Sequence, residues 1–340
     1  MTEGRGLHRK TAGRPRAQIR TRHSRSICAT ALVGLVLVSG GRGYPETSEY
    51  GPARGNLVIA GGGSLAGTLI LENFILLAGG RHRRFIVVPT AGGNRNDDGT
   101  LRVYDERQVV APWIALGVRN VRMLHTHDPK VADTERFVEH LKVADGVWFD
   151  GGRQWNIVDS YMHTRTLTEF HRVLERGGVI GGSSAGATIQ GEYLVRGDTS
   201  GSNVVMTREP NHQSGFKFLR RSAIDQHVDT RNRWNDLRPV IRTYPDLLGI
   251  GLSEDTAIVV TGDRFKVMGK GKVAVYDNPR KYWFWEKPYF LLSRGDVYNM
   301  RTRAIEGGIA RRHGTSMLNG TTVVPQWNTS SAFFPSTAGK

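Results

Sequence analysis

The run Gly178-Val179-Ile180-Gly181-Gly182-Ser183-Ser184-Ala185-Gly186 decides how this 340-residue sequence folds. Its first five residues are apolar or small and predict a buried strand, and residues 185–189 are compatible with a helix. Gly182-x-Ser184-x-Gly186 therefore lies at a strand-to-helix turn, the context of a nucleophile elbow. Small residues allow a sharp turn that exposes Ser184, and the helix start directs N–H groups to the same point. A Gly/Ser turn that binds phosphate, or that merely turns the chain, is the alternative.

Apolar runs alternate with helical stretches around this turn. Strands are predicted at residues 57–60, 85–89, 121–124, 146–149 and 178–182, and helices at 65–77, 107–116 and 131–143. This alternation predicts a doubly wound α/β fold with a mostly parallel sheet covered on both faces. Short strands at 257–260, 265–268 and 272–276 predict an antiparallel C-terminal extension of that sheet. Ligands of such folds bind at the carboxyl ends of the strands.

His227 is the candidate base for Ser184. A serine hydroxyl needs a group that accepts its proton, and histidine has a suitable pKa. Of the eleven histidines, His227 directly follows the apolar residues 222–224 and Asp225-Gln226. A surface or core histidine without a catalytic role is the alternative.

Four motifs in order carry a family resemblance. They are Phe149-Asp150-Gly151-Gly152-Arg153-Gln154, Gly182-Ser183-Ser184-Ala185-Gly186-Ala187, Asp225-Gln226-His227-x-x-x-Arg231-x-Arg233 and Gly251-Leu252-Ser253-Glu254-Asp255-Thr256-Ala257. Together they resemble the cyanophycinase family of serine peptidases, relatives of the aspartyl dipeptidases on a class I glutaminase-like fold. The resemblance covers residues 55–285 and implies Ser184 as nucleophile with His227 as its base.

The resemblance also implies the other catalytic groups. Glu254 matches the acid that orients the histidine and stabilises its charged form. Asp198 and Asp225 are rivals, because related members have been assigned an acid shortly after the nucleophile, where Ser202 stands here. The backbone N–H groups of Gly152 and Ala185 are the implied oxyanion hole.

The implied substrate-binding residues are Gln154, Asp225, Gln226, Arg231 and Arg233. Arginine suits carboxylates because its planar fork binds them in two places. Cyanophycinases usually carry a third arginine at the position of Asp236, so either this acid pairs with a substrate guanidinium or the pocket recognises a different side chain.

The resemblance predicts a serine-type exopeptidase that hydrolyses cyanophycin (multi-L-arginyl-poly-L-aspartate) to β-Asp-Arg dipeptides through an acyl-enzyme on Ser184. An aspartyl dipeptidase or another acyl hydrolase of the same fold is the first alternative, and an exported binding protein without turnover is the second. The resemblance also suggests a homodimer. No cofactor and no metal are expected.

Two other motifs are compatible with different functions. Gly61-Gly62-Gly63-Ser64-Leu65-Ala66-Gly67 stands where a dinucleotide fingerprint would, but its spacing differs and residues 86–89 lack an acid for a ribose, so a tight turn is expected. His125 and His127 are spaced like metal ligands, and Asp150 and His227 are conceivable partners, but a solvent-facing loop is the simpler interpretation.

The N-terminus predicts export. Residues 1–27 hold eight Lys or Arg against Glu3, and the apolar run 27–38 ends in small residues, as a secretory signal does. That run is shorter than the roughly 20 residues of a membrane span, although an uncleaved anchor and a disordered basic tail stay open. Residues 1–40 carry a net +7 of the formal +16, so the remaining +9 is a moderately basic surface and no nucleic-acid partner is expected.

These patterns define the expected organisation: a signal peptide at 1–40, a linker at 41–54, a catalytic domain at 55–285, and a partly disordered C-terminal extension at 286–340. The only cysteine, Cys28, lies in the signal, so the mature chain is expected to have no disulfide and no thiolate ligand.

If residues 1–40 are a cleaved signal, protein recovered outside the cytoplasm begins near residues 40–43 and lacks Cys28. N-terminal sequencing and intact mass measure this directly. Full-length chain in the membrane fraction would instead make residues 27–38 an anchor.

Overall fold

The computed structural model describes residues 48–96, 98–201, 203–277 and 287–307. The predicted signal peptide at 1–40, the first part of the linker, Ser202 and residues 308–340 lie outside the described residues. Within the described part, no helix combines the length and the apolar character needed to cross a membrane.

The described residues form thirteen strands and eight α-helices. The strands are β1 (Asn56–Ala60), β2 (Arg84–Val88), β3 (Asn120–Met123), β4 (Gly146–Phe149), β5 (Val179–Ser183), β6 (Ser222–Gln226), β7 (Leu248–Leu252), β8 (Thr256–Thr261), β9 (Arg264–Gly269), β10 (Lys272–Asp277), β11 (Phe290–Ser293), β12 (Val297–Asn299) and β13 (Ala304–Gly307). The helices are α1 (Ile70–Leu77), α2 (Glu106–Ala115), α3 (Pro129–Ala132), α4 (Glu135–Val138), α5 (Gln154–Tyr161), α6 (Arg165–Glu175), α7 (Ala185–Thr188) and α8 (Leu237–Thr243).

The strands of the described chain belong to two sheets. The nine-stranded sheet has the order β13-β12-β9-β8-β1-β5-β4-β2-β3, and its part from β1 to β3 is parallel throughout. The four-stranded sheet has the order β11-β10-β7-β6, with β6 and β7 parallel. The predicted α/β fold with a mostly parallel central sheet is confirmed.

The central strands are buried on both faces of the nine-stranded sheet. Alternate side chains of a strand point to opposite faces, and in β1 Leu57 and Ile59 join one apolar cluster while Val58 and Ala60 join the other. On the second face, Phe74 of α1 packs edge-on against Trp148 of β4, with ring centroids 5.2 Å apart. The cluster on the first face includes side chains of α6, so helices cover both faces, as a doubly wound sheet requires.

Two predicted helices are shorter than the apolar pattern suggested. Helix 65–77 begins only at Ile70, because Leu65 and Leu69 have φ values of 58° and 64° and form a turn before it. The predicted helix 131–143 is divided into α3, α4 and a 3-10 turn at 141–143. Thr134 causes one break, since its extended backbone interrupts the helix while its hydroxyl accepts a hydrogen bond from the Phe137 N–H.

The antiparallel C-terminal extension is confirmed for β8 and β9, which continue the large sheet beyond β1 together with β12 and β13. The prediction was wrong for residues 272–276, because β10 pairs with β7 in the smaller sheet. Strand β7 itself was not predicted. Its partners β6 and β10 are distant in the sequence, and periodicity alone carries no information about such pairings.

Residues 48–54, the second part of the predicted linker, pack against the domain. Tyr50 is 3% exposed and lies in the apolar core. Asp263 accepts hydrogen bonds from the backbone N–H groups of Glu49 and Tyr50 at 2.8 and 2.7 Å. The packed structure therefore begins before residue 55, the domain boundary predicted from the sequence.

Candidate active site

Ser184 lies at the sharp turn between β5 and α7. Its backbone has φ 56° and ψ −116°, a strained combination for a residue with a side chain. The turn is closely packed, since a Cβ on Gly186 would lie 2.0 Å from the carbonyl oxygen of Phe149. The Ser184 N–H donates to the Ala60 carbonyl at 3.1 Å, which fixes the turn to the end of β1.

His227 and Glu254 follow the two parallel strands of the smaller sheet, β6 and β7. The Nε2 atom of His227 lies 2.9 Å from Ser184 Oγ, and its Nδ1 atom lies 2.5 Å from Glu254 Oε1. Ser184, His227 and Glu254 thus form one hydrogen-bonded series across the ends of β5, β6 and β7. This is the arrangement by which a carboxylate orients an imidazole toward a hydroxyl.

Two further contacts hold Glu254 in place. The Thr230 hydroxyl donates to Glu254 Oε1 at 3.0 Å, and the Glu254 N–H donates to Asp229 Oδ1 at 3.0 Å. The rival acid Asp198 lies in a separate loop, where it accepts hydrogen bonds from Ser200 and from the Thr207 hydroxyl, the latter at 2.9 Å. These bonds lower the pKa of Asp198. The structure therefore brings Glu254, and not Asp198, to the imidazole.

Opposing influences act on the charge of His227. Burial lowers the pKa of His227, the hydrogen bond to Glu254 raises it, and the positive charge of Arg231 lowers it further, with a smaller effect of the same sign from Arg233. The net effect is a pKa below the usual value. The imidazole is therefore neutral at pH 7 and able to accept a proton.

The turn at Gly151 and Gly152 follows β4 and lies against Ser184. A Cβ on Gly151 would be 3.6 Å from Ser184 Oγ, and one on Gly152, where φ is 145°, would lie 2.2 Å from the Ala91 carbonyl oxygen. Ala185 is the first residue of α7, and the first N–H groups of a helix have no partner within it. Beside this turn, burial raises the pKa of Asp150 to about 7.

The glycine run after β1 packs against the imidazole, a contact that the sequence did not reveal. Gly61 O accepts the His227 N–H at 3.0 Å. Gly62 has φ 111°, and a Cβ there would lie 2.2 Å from His227 Cε1. The signal was present in the sequence as the predicted tight turn, but nothing in the sequence indicated what the turn touches.

The implied substrate-binding residues differ in their exposure to solvent. Arg231 is exposed beside His227, while Arg233 is 6% exposed, with its Nη1 3.3 Å from Gln226 Oε1. Gln154 is buried and donates to the carbonyl oxygens of Val195 and Arg196 at 2.6 and 2.8 Å.

The resemblance implies that Asp225 binds substrate, but in the structure its carboxylate is bonded to another residue of the chain. It is fully buried, and both its carboxylate oxygens accept hydrogen bonds from Arg196, at 3.0 and 3.1 Å. Arg196 also bonds to Asp236. Sequence reasoning missed Arg196, whose one visible signal is a charged residue after the apolar pair Leu194-Val195.

The histidines of the metal hypothesis take part in other contacts. His125 Nδ1 lies 3.0 Å from Thr90 Oγ1, and His127 Nδ1 lies 3.3 Å from Ser160 Oγ. Burial lowers the pKa of His125 to about 4. Across the part of the chain that the structure describes, no three His, Cys, Asp or Glu side chains are grouped so that they could hold a metal ion.

A mostly parallel sheet with a serine at its strand-to-helix turn, hydrogen-bonded to a histidine and a glutamate, defines a class of protein, the serine-type hydrolases. Comparison with known proteins agrees. The model of peptidase family S51 matches residues 57–268. The chain belongs to peptidase family S51, and its activity is that of a serine-type peptidase.

Among curated relatives, the cyanophycinase of Synechococcus elongatus is 30% identical over 281 residues, covering 77% of this chain and 84% of that protein. The cyanophycinase of Geminocystis herdmanii is 26% identical over 278 residues, covering 75% and 97%. The crystal structure of a peptidase from an acI-B1 Actinobacterium is similar with a TM-score of 0.55 at 22% identity, covering 72% of this chain and 97% of that one. The last likeness supports the fold.

Gly62→Ala is expected to lower kcat by about 10²-fold or more, because the new Cβ displaces the His227 ring. Gly67→Ala is a matched control, since Gly67 also has a positive φ (66°) but open space around its Cβ position. Activity and thermal unfolding of both variants test this. Equal activity of the two variants would show that the Gly62 contact does not position the imidazole.

Proposed function

We propose that this chain is an exported serine-type exopeptidase that cleaves cyanophycin or related aspartyl peptides through an acyl-enzyme on Ser184. The hydrogen-bonded series Ser184–His227–Glu254 carries the proposal, with distances of 2.9 and 2.5 Å. The named activity of the relatives supports the substrate class. Export rests on the composition of residues 1–40, and a homodimer is proposed from the family resemblance.

In the proposed reaction, Ser184 Oγ attacks the carbonyl carbon of an aspartyl peptide bond while His227 Nε2 takes the hydroxyl proton. The resulting oxyanion accepts hydrogen bonds from the N–H groups of Gly152 and Ala185. His227 then gives its proton to the leaving amine, which departs and leaves an ester on Ser184. Water, deprotonated by His227, hydrolyses that ester and restores the serine.

Glu254 acts on His227 throughout. Its carboxylate fixes which ring nitrogen carries the proton and stabilises the imidazolium formed in each step. Arg231 and Arg233 supply positive charge beside the imidazole, where the carboxylates of a poly-aspartate chain bind.

Ser184→Ala is expected to reduce turnover by about 10³-fold or more while the protein remains folded, because the members of such a series act as a unit. The purified mature protein is incubated with cyanophycin and with aspartyl dipeptides, and mass spectrometry identifies the products. Release of β-Asp-Arg from cyanophycin by the unaltered protein supports the substrate. Substantial activity of Ser184→Ala that a chelator abolishes would contradict the serine mechanism.

Glu254→Gln is expected to lower kcat by about 10²–10⁴-fold, and Asp198→Asn much less. The pH profile gives a second readout. His227 works as a base only when it is neutral, and its pKa lies below the usual value of about 6.5. The activity of the unaltered protein should therefore fall only below pH ~6.5. Loss of the Glu254 carboxylate removes an influence that raises this pKa, so the acidic limb of the pH profile moves to lower pH. A larger loss for Asp198→Asn would assign the orienting role to Asp198.

A further inference from the structure

Arg196 is a buried arginine between two carboxylates. It is 2% exposed, and Asp225, whose two oxygens it binds, is 0% exposed. Its Nη2 atom donates both to Asp225 and to Asp236, whose side chain is about one-third exposed. Burial opposes the charge of Arg196, but the hydrogen bonds to Asp225 and Asp236 outweigh it and raise the pKa of Arg196.

The contact with Arg196 balances the negative charge of Asp225. A buried carboxylate requires a partner, and a bidentate guanidinium is the strongest that a protein offers. Arg233 adds a second positive charge, with Nη1 3.9 Å from Asp225 Oδ1. The two carboxylates are thus matched by two guanidinium groups of the chain itself.

The same arginine connects two parts of the candidate active site. Its carbonyl oxygen accepts the amide of Gln154, at the start of the helix that follows the Gly151-Gly152 turn. Its side chain holds Asp225, two residues before His227. Arg196 is therefore placed to position both regions.

We infer that Arg196 and Asp236 are a compensated pair, in which the carboxylate of Asp236 balances the buried guanidinium of Arg196. Arg196 is also the guanidinium partner of Asp225. Neither Asp225 nor Asp236 therefore recognises a guanidinium of the substrate. An aspartate at position 236 fits this pair, whereas the arginine expected there from the family resemblance would face Arg196. Recognition at this wall then depends on the substrate carboxylate, through Arg231, the exposed arginine. The inference rests on the proposed function and extends its substrate class to aspartyl peptides that lack a guanidinium.

Binding to the Ser184→Ala variant tests the recognition. Calorimetry compares β-Asp-Arg with β-Asp-citrulline, which has nearly the same shape without the charge. Adding Asp236→Asn should leave the ratio of the two affinities unchanged within roughly threefold, because Asp236 already has Arg196 as its partner. Adding Arg231→Gln should lower the affinity for both peptides alike, by about tenfold or more.

A tenfold or larger fall in the ratio for Asp236→Asn would overturn the inference, since Asp236 would then read the guanidinium. If the Ser184→Ala variant binds neither peptide, the inference and the proposed substrate class are both overturned. Retained binding of the two dipeptides, with no cleavage of cyanophycin or of aspartyl peptides by the unaltered protein, would count against the proposed function alone.

A charge exchange tests the compensation through kcat/KM on an aspartyl peptide. Asp236→Arg should reduce kcat/KM by about 10²-fold, because the new guanidinium then faces the buried guanidinium of Arg196. Arg196→Gln combined with Asp236→Arg should recover at least about tenfold, since one positive charge again faces Asp225. A double variant no better than Asp236→Arg would overturn the pairing. If Asp236→Arg does not fold, the binding ratio for Asp236→Asn decides.

Discussion

The hydrogen bond between Ser184 and His227 joins two separate sheets. Ser184 follows β5 of the nine-stranded sheet, and His227 follows β6 of the four-stranded one. Proton transfer needs a distance near 3 Å, and a displacement of about 1 Å costs roughly 10²-fold in rate. The two sheets must therefore be held in a fixed relation at this one point. The backbone after β1 supplies that connection, because Gly61 O accepts the His227 N–H and Gly62 O accepts the Asp255 N–H, beside Glu254.

Both reacting residues are held in unusual backbone conformations. Ser184 and His227 have φ values of 56° and 54°. A strained residue of this kind costs about 1–3 kcal/mol and persists only where its surroundings determine it. Around Ser184 the surroundings are closely packed, since the buried strands β1, β4 and β5 end at the turn and glycines allow their backbones to approach. The strained backbone therefore places the side chains of Ser184 and His227 where a choice of rotamer alone would not bring them.

The sequence predicted well those features that depend on local pattern. The parallel strands and the turn at Ser184 follow from apolar runs and small residues, and the four motifs indicated which residues to look for around it. The features that were missed depend on contacts between distant segments. Strand β10 has the composition of its neighbours β8 and β9, yet it pairs with β7. Arg196 precedes Asp225 by 29 positions, and no spacing rule relates a buried arginine to an acid so far along the chain.

The charges around His227 connect substrate binding to proton transfer. Burial disfavours the imidazolium, and so do the positive charges of Arg231 and Arg233, whereas Glu254 favours it; the net effect is a neutral base in the free enzyme. A substrate carboxylate on Arg231 would cancel part of the charge that opposes the imidazolium. The histidine would then accept the serine proton more readily with an acidic substrate bound than without one. Asp225 and Asp236 do not disturb this balance, because Arg196 and Arg233 already match their charges. The buried ion network thus leaves Arg231, the exposed arginine, as the charge through which an acidic substrate acts on the base.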